Sequence, residues 1–362
     1  MILQETKGRL HVNLSHGRAP FWDAVTVAIG RLDPTFAFIL RRLAISAVTL
    51  FAISIVSFVV IQLPPGDFVS SYVAQLAQTG AVGSGEDLEQ LRADYGLDQP
   101  MIVRYWHWFG NVLQGDFGWS LDWGRPVGGL IAERMPLTLM LSLGALFLSW
   151  MIAFPIGLYC ATHRGSAGDY FFSAVGLTGV AIPNFLLALA ALYIGFRYFN
   201  VDLGEVHSPN FIEAPWSAAK VFDMAAHLII PALILALAST ARLIRILRAN
   251  LLDELERPYV ITARAKGMHE WALVLKYPTR VALNPFISTI GIMLPQLVSG
   301  SVIVSLVLSL PTVGPLLLRA LQAQDMFLAS TILLVLAALT VLGTLLSDLA
   351  LAWLDPRIGR RR

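Results

Sequence analysis

Residues 43–63 read LAISAVTLFAISIVSFVVIQL. The stretch carries no charged side chain, and apolar residues fall on every face of a helix drawn through it. A helix of about 20 apolar residues crosses the roughly 30 Å hydrocarbon core of a bilayer. The stretch therefore predicts a transmembrane helix. It is too long for the apolar part of a signal peptide and lacks a small-residue cleavage site, so we expect it to stay in the mature protein.

Five further stretches have the same character. The six predicted spans are residues 43–63, 137–161, 170–199, 227–247, 281–310 and 327–354. The composition agrees, because 56% of the 362 residues are hydrophobic and 14% are charged, against about 25% charged in soluble domains. Soluble helices would alternate polar and apolar faces at the helical period, and these runs do not. We predict an all-α membrane protein with six transmembrane helices.

Positive charge is concentrated on one side of this predicted bundle. Arginine and lysine precede the first span, crowd the connection between the fourth and fifth spans, and end the chain. The segments on the other side, 64–136 and 200–226, are rich in aspartate and glutamate. Because cytoplasmic loops carry the excess of lysine and arginine, we expect both termini in the cytoplasm and the acidic segments outside.

These assignments divide the chain into regions. In chain order we predict a cytoplasmic N-terminal extension (1–36), a first span (37–63), a periplasmic cap loop (64–136), a transmembrane core with spans two to six (137–354) that includes a cytoplasmic loop (248–280), and a basic cytoplasmic tail (355–362). Apolar and charged residues are interspersed in 21–38, a pattern that suits an elbow helix lying along the membrane surface.

Several kinds of chemistry have no basis in the sequence. None of the four lysines lies in the glycine-rich pattern that cradles the phosphates of ATP, so we expect no ATP hydrolysis by this chain. The histidines lack the serine or aspartate partners that an intramembrane protease needs. No group of His, Cys and carboxylates has metal-ligand spacing. We expect no catalytic residue, no metal and no cofactor, and a formal charge of +2 gives no reason to expect nucleic acid.

The polar residues in the middle of the predicted spans are neutral. Carriers driven by protons or ions usually place a charged residue at mid-membrane, so this pattern argues against such a carrier. The candidates for a water-filled translocation path are Asn184, Gln296, Ser299 and Ser301. The alternative is that these side chains only form hydrogen bonds between packed helices.

The basic loop 248–280 contains a distinctive short segment. Pro258 suits a first helical turn, and residues 259–266 make about two turns that Gly267 is suited to end. A second helix is expected near Glu270. Small side chains at 263 and 265 would let the helix settle into a groove, and the basic residues beside them would pair with acids at its rim. Docking of a partner and a basic loop without any partner are both compatible with this pattern.

Residues 261–267, ITARAKG, resemble the cytoplasmic loop signature of binding-protein-dependent ABC importer permeases. The version is similar to that of the dipeptide, oligopeptide and nickel permease family, although Tyr277 and Pro278 depart from the family's downstream pattern. Further blocks resemble the family in order and spacing, and they match the first of its two permease types: residues 41–43, 65–67, 96–100, 115–118, 134–139, 182–185 and 355–357.

The resemblance implies a multi-pass protein of the bacterial inner membrane with type I ABC importer permease architecture. Such a permease pairs with a second, homologous permease, receives solute from a periplasmic binding protein and contacts two ATP-binding subunits. The implied ATPase-coupling residues are Tyr259, Thr262, Ala263, Arg264, Ala265, Lys266 and Gly267. Peptides or similar small polar solutes are the implied cargo. A secondary transporter or channel that works without an ATPase is the alternative.

Overall fold

A computed structural model of the chain describes residues 34–64, 68–69 and 96–354. The helices, in chain order, are α1 (Pro34–Gln62), α2 (Met101–Leu113), α3 (Val127–Thr162), α4 (Ala167–Ala181), α5 (Asn184–Ile194), α6 (Ala218–His227), α7 (Ile229–Leu255), α8 (Pro258–Ala265), α9 (Glu270–Lys276), α10 (Pro278–Ser288), α11 (Ile290–Val307), α12 (Val313–Gln322) and α13 (Met326–Leu354). A π-helical turn (Gly195–Phe199) follows α5, and a 3₁₀ turn (Pro209–Phe211) precedes α6. The predicted elbow helix and the basic tail at 355–362 lie outside the described residues, except that α1 begins at Pro34.

Among the described residues, four helices are long and apolar enough to cross a membrane. They are the stretch Ile39–Gln62 of α1, α3, α7, and the stretch Met326–Leu349 of α13. The pair α4 and α5 makes a fifth candidate if it is taken as one bent span. The protein is therefore a mostly helical membrane protein with four or five candidate spans. By length and composition, the described helices do not provide the six spans that the sequence predicts.

The predicted third span, 170–199, is not one straight helix. α4 and α5 meet at an angle of 98°, and the two residues between them, Ile182 and Pro183, have extended ψ angles of 123° and 138°. Proline lacks the amide hydrogen that a continuing helix needs, and it forces the residue before it out of the helical region. The residue pair therefore turns the chain where hydropathy alone indicates continuity.

The predicted fifth span, 281–310, is also divided. α10 ends at Ser288 and α11 begins at Ile290, and the hydroxyl of Thr289 between them donates to the Phe286 carbonyl at 2.6 Å. A shorter apolar helix, Gln296–Val307, lies within α11. Counted over the residues whose side chains the structure describes, this stretch is shorter than a bilayer core requires, so the segment is not among the candidate spans.

The described part of the segment before the second span is more structured than a loop. α3 begins at Val127, so the helix is 36 residues long and contains Pro136 and Pro155. A two-residue hairpin, β1 (Trp119–Ser120) and β2 (Arg125–Pro126), pairs antiparallel in front of it. The hairpin is a small departure from the predicted all-α fold, and the start of α3 shortens the predicted cap loop.

The helix α7 lies at the centre of the packing. It contacts α3, α4, α10 and α11, and its residues Leu243, Leu247 and Leu251 are fully buried. Gly157 of α3 lies so close to α7 that a Cβ there would come within 3.0 Å of Leu247 Cδ2. Glycine at such a position allows two helices to approach closely, which agrees with the tightly packed bundle that the glycine-rich spans suggest.

Asp325 joins the hairpin to the start of α13. Its fully buried carboxylate accepts hydrogen bonds from the Ser120 hydroxyl at 2.6 Å and from the backbone N–H groups of Leu121, Asp122 and Leu328 at 2.8, 3.3 and 3.1 Å. At the other end of α13, Asp348 pairs with Arg42 of α1 at 3.1 Å. These contacts fix α13 at both of its ends.

Candidate functional site

The α8–α9 segment, residues 258–276, contains the candidate coupling residues that the sequence singles out. The backbone of Arg257 is extended and Pro258 occupies the first turn of α8, where its missing N–H costs no helical hydrogen bond. The Thr262 hydroxyl donates to the Pro258 carbonyl at 2.9 Å. The predicted short helix is confirmed, and the second helix begins at Glu270 as expected.

Gly267 ends α8 in the way its position predicts. Its φ angle is +79°, a left-handed conformation that glycine adopts without steric cost. The Gly267 N–H donates to the Arg264 carbonyl at 3.0 Å, and the Met268 N–H donates to the Ala263 carbonyl at 3.3 Å. This pair of bonds is a Schellman motif, which satisfies carbonyls that would otherwise be left open at a helix end.

Arg264 connects the two short helices. Its Nε and NH2 groups donate to the two carboxylate oxygens of Glu270 at 2.6 and 3.1 Å. These hydrogen bonds hold the pKa of Glu270 below its ordinary value and raise the pKa of Arg264. The sequence suggests that Arg264 meets an acidic group of a partner, whereas in the structure it meets one within its own loop. Its role in coupling stays a prediction, and its observed role is to brace α8 against α9.

The buried side of α8 is held by one residue. Val260 is 0% exposed and packs with Leu251 of α7 and with Leu273 and Val274 of α9. Tyr259 adds a second link, since its hydroxyl donates to the Glu254 carboxylate near the end of α7. Burial and the contact with Glu254 raise the pKa of Tyr259 to about 12. The short helix is thus attached firmly to the long helix before it.

The exposed side of the α8–α9 segment forms an open concavity of about 390 Å³. Five of the seven predicted coupling residues line it, together with Met268 and Tyr277: the lining is Tyr259, Thr262, Ala263, Lys266, Gly267, Met268 and Tyr277. Ala265 is exposed beside it. Sequence reasoning did not select Met268 or Tyr277 as site residues, although the departure of Tyr277 from the family pattern was a signal. Within the described residues, Lys266 has no ion-pair partner.

The predicted translocation residues divide into two groups. Gln296 and Ser299 are exposed on one face of α11, and Asn184 lies beside that face, with its Nδ2 3.9 Å from the point where a Cβ on Gly300 would lie. Ser301 is only 2% exposed and its hydroxyl donates to the Val298 carbonyl of its own helix at 2.7 Å. The first three residues share a neighbourhood, and Ser301 does not point into it.

Arg242 is a polar residue of this neighbourhood that sequence reasoning placed elsewhere. Its NH1 donates to the Gln296 Oε1 at 3.0 Å. The sequence groups Arg242 with the basic residues of the connection after the fourth span, although it lies within that predicted span, 227–247, and α7 continues without a break to Leu255. Arg242 therefore lies about 20 Å along the helix from Ile229, at 1.5 Å per residue.

Comparison with known proteins identifies the family. A family model described as "Binding-protein-dependent transport system inner membrane component" matches residues 153–360. A model for the N-terminal part of such membrane components matches residues 35–142. The two matches together cover residues 35–360 except 143–152 in α3, and they include the α8–α9 segment.

Curated relatives agree over nearly their whole length. A putative peptide permease protein of Brucella ovis is 36% identical over 88% of this chain and 98% of its own. An oligopeptide transport system permease protein of Bacillus subtilis is 36% identical over 89% and 99%. A probable D,D-dipeptide transport system permease protein of Escherichia coli is 30% identical over 90% and 98%. The chain therefore belongs to the binding-protein-dependent transport system inner membrane components, the multi-pass permease subunits of ABC importers, in which separate subunits hydrolyse ATP.

Proposed function

We propose that this chain is one of two homologous permeases of a peptide importer, and that the α8–α9 segment is its contact with an ATP-binding subunit. The observation that carries the proposal is the construction of that segment. An exposed short helix is ended by a left-handed glycine and attached to α7 through Val260. A partner that displaces such a helix should move α7 as well, because Val260 packs the short helix directly against α7. The names of the relatives support peptides as the cargo.

The complete assembly in this proposal has five further components. They are the second permease, two ATP-binding subunits, a periplasmic binding protein that delivers the solute, and the lipid around the spans. The chain is the first of the two permease types. Six membrane crossings are made by α1, α3, the bent pair α4–α5, α7, the divided pair α10–α11, and α13, with both termini in the cytoplasm. The excess of arginine and lysine around the α8–α9 segment supports this orientation.

The concavity of the α8–α9 segment offers chemistry for a protein partner. Tyr259 and Tyr277 supply apolar surface with a polar tip, which suits a protein interface. Lys266 supplies a positive charge at the edge. A partner surface with an apolar projection and a carboxylate would complement both features.

The test is a reconstituted complex that contains all the subunits, with Gly267 replaced by valine. A β-branched residue at a φ of +79° costs about 1–3 kcal/mol in strain and should distort the end of α8. We expect ATP-dependent uptake of a labelled tripeptide to fall at least tenfold, while the complex still assembles and retains its basal ATP hydrolysis. A loss of ATP hydrolysis together with uptake would mean that the complex had not assembled.

Gly115→Val is a matched control. Gly115 has a similar φ of +84° and, like Gly267, open space around it, but it lies between α2 and β1. We expect the control to take up peptide normally. Equal uptake by the two variants would contradict the coupling role of the α8–α9 segment. Equal uptake with and without ATP in the unaltered complex would contradict the proposed function itself.

A further inference from the structure

An exposed polar face runs along α7 and the neighbouring α11. Arg242 of α7 and Gln296 and Ser299 of α11 are exposed on it, and Ser239 is half-buried one turn from Arg242. The exposed faces of other spans differ in character. α1 exposes Val48 and Val56, and α3 exposes Phe147 and Met151. The polar face is therefore distinct from the surfaces that suit lipid.

The position of Arg242 makes contact with lipid unfavourable. An exposed guanidinium within a membrane-spanning helix is costly unless it faces water, a cavity or a partner. The apolar run of α7 includes residues on both sides of Arg242, with Ala241 and Leu243 buried against other helices. The side chain must consequently face either the solute path or the second permease that encloses the path with this chain.

Gln296 fixes the guanidinium without neutralising it. One N–H of Arg242 is occupied by the Gln296 amide oxygen at 3.0 Å, and arginine has five N–H donors. In the part of the chain that the structure describes, Arg242 has no carboxylate partner. A positive charge held in one orientation with donors to spare is suited to bind a carboxylate through two parallel hydrogen bonds.

We propose that Arg242, oriented by Gln296, contacts the carboxylate of the solute as it passes through the path. The inference rests on the proposed function and deepens it, because it assigns a chemical preference to the permease itself. A free peptide always ends in a carboxylate, whatever its side chains. One arginine can therefore recognise many peptides regardless of their side chains. Asn184 and Ser299 lie beside it and offer neutral hydrogen-bonding groups to the rest of the bound peptide.

The experiment compares two probes in the complete reconstituted complex. They are radiolabelled trialanine and its C-terminal amide, which differ only in the carboxylate. We expect Arg242→Gln to lower the ratio of acid uptake to amide uptake roughly tenfold. This is the smallest effect expected from the loss of one hydrogen bond to a charged group. Any preference of the binding protein cancels, because the variant and the unaltered complex share the same binding protein.

Two further variants separate positioning from charge. Gln296→Leu leaves the charge but frees the guanidinium, so it should lower the same ratio by a smaller factor. Arg245→Gln removes a charge of the same sign from an exposed residue one turn further along α7, and the arginine that hydrogen-bonds Gln296 stays in place, so it should leave the ratio unchanged. An equal fall in this control would show that general positive charge, and not Arg242, sets the preference.

Other outcomes would overturn the inference. An unchanged ratio in Arg242→Gln would show that the residue does not contact the carboxylate. An equal loss of both probes, together with dissociation of the two permeases, would show that Arg242 pairs with the second permease instead. If the unaltered complex takes up neither probe with ATP, the proposed function fails, and the inference fails with it.

Discussion

At the scale of single residues, Asp325 is a fully buried carboxylate that several donors hold in place. Four donors surround its carboxylate, while burial raises its pKa above the ordinary value. Asp325→Ala removes the acceptor and leaves the Ser120 hydroxyl and the Leu121 and Asp122 amides unsatisfied in a buried site. Each such group costs about 1–3 kcal/mol. We expect a clear fall in the thermal unfolding temperature of the detergent-solubilised protein.

The raised pKa also sets the sign of a pH effect. When the folded pKa of an acid lies above its unfolded value, the folded state binds more protons between the two values. The contribution of Asp325 to stability is then largest below the unfolded pKa, near the ordinary value of 3.8, and declines as the pH rises through the folded pKa. The stability difference between the unaltered protein and Asp325→Asn should shrink from acid towards neutral pH. A difference that grows with pH would contradict the direction of the shift.

At the scale of elements, the bond between α8 and α9 can be tested through Arg264 and Glu270. The pair is exposed, so its removal should cost little stability. Glu270→Gln should therefore lower the peptide taken up per ATP hydrolysed only modestly, without unfolding the loop. The exchange of the two residues, Arg264→Glu with Glu270→Arg, should restore part of the loss. Because its pKa is lowered, Glu270 keeps the pair at neutral pH and loses it only as the pH falls through that lowered value.

The ion pair between α4 and α7 is stronger than the ion pair between α8 and α9. Asp169 is 3% exposed, and Arg248 donates to its two oxygens at 2.8 and 2.8 Å. The Gly165 N–H donates to the same carboxylate at 3.0 Å. The Arg248 side chain is 30% exposed, so removing Asp169 should cost less than the about 3–5 kcal/mol of a fully buried pair, in which the remaining charge has no access to water.

We expect Asp169→Ala to lower the unfolding temperature and abolish uptake, and Asp169→Ala with Arg248→Met to recover much of the stability. Circular dichroism and proteoliposome uptake measure the two effects. If the double variant recovered its stability but not its uptake, the ion pair would be required for the transport motion as well as for folding. Unchanged stability in the single variant would contradict the assigned contact.

The helices also show which features of the fold can be predicted from the sequence. The ends of α8 were predictable, because Pro258 and Gly267 act through local backbone chemistry. The break at Pro183 has a local signal, because proline cannot continue a helix, whereas hydropathy gives no signal for the break at Thr289. Arg242 was grouped with the basic residues after the fourth span, although it lies within that predicted span, 227–247. Burial of Leu243, Leu247 and Leu251 extends α7 beyond it.

At the scale of the whole molecule, α7 joins the two functional surfaces. Its end anchors the α8–α9 segment through Leu251 and Val260, and further along it carries Arg242 beside Gln296. A displacement of the α8–α9 segment by an ATP-binding subunit would reach the polar face through one continuous helix. The exposure of that face to water should accordingly change with the nucleotide state.

The lone cysteine of the chain makes this change measurable. Cys160 is buried, so Cys160→Ala gives a background without thiols in which Ser299→Cys reports on the polar face and Phe147→Cys on an exposed apolar one. We expect a membrane-impermeant maleimide to label position 299 in the complete complex at a rate that changes severalfold when ATP and a hydrolysis-deficient ATPase hold the closed state. Position 147 should stay unlabelled in both states, because lipid covers it. A nucleotide-independent rate at position 299 would mean that α7 does not carry the motion, and labelling at position 147 would mean that the apolar face is not the one in lipid.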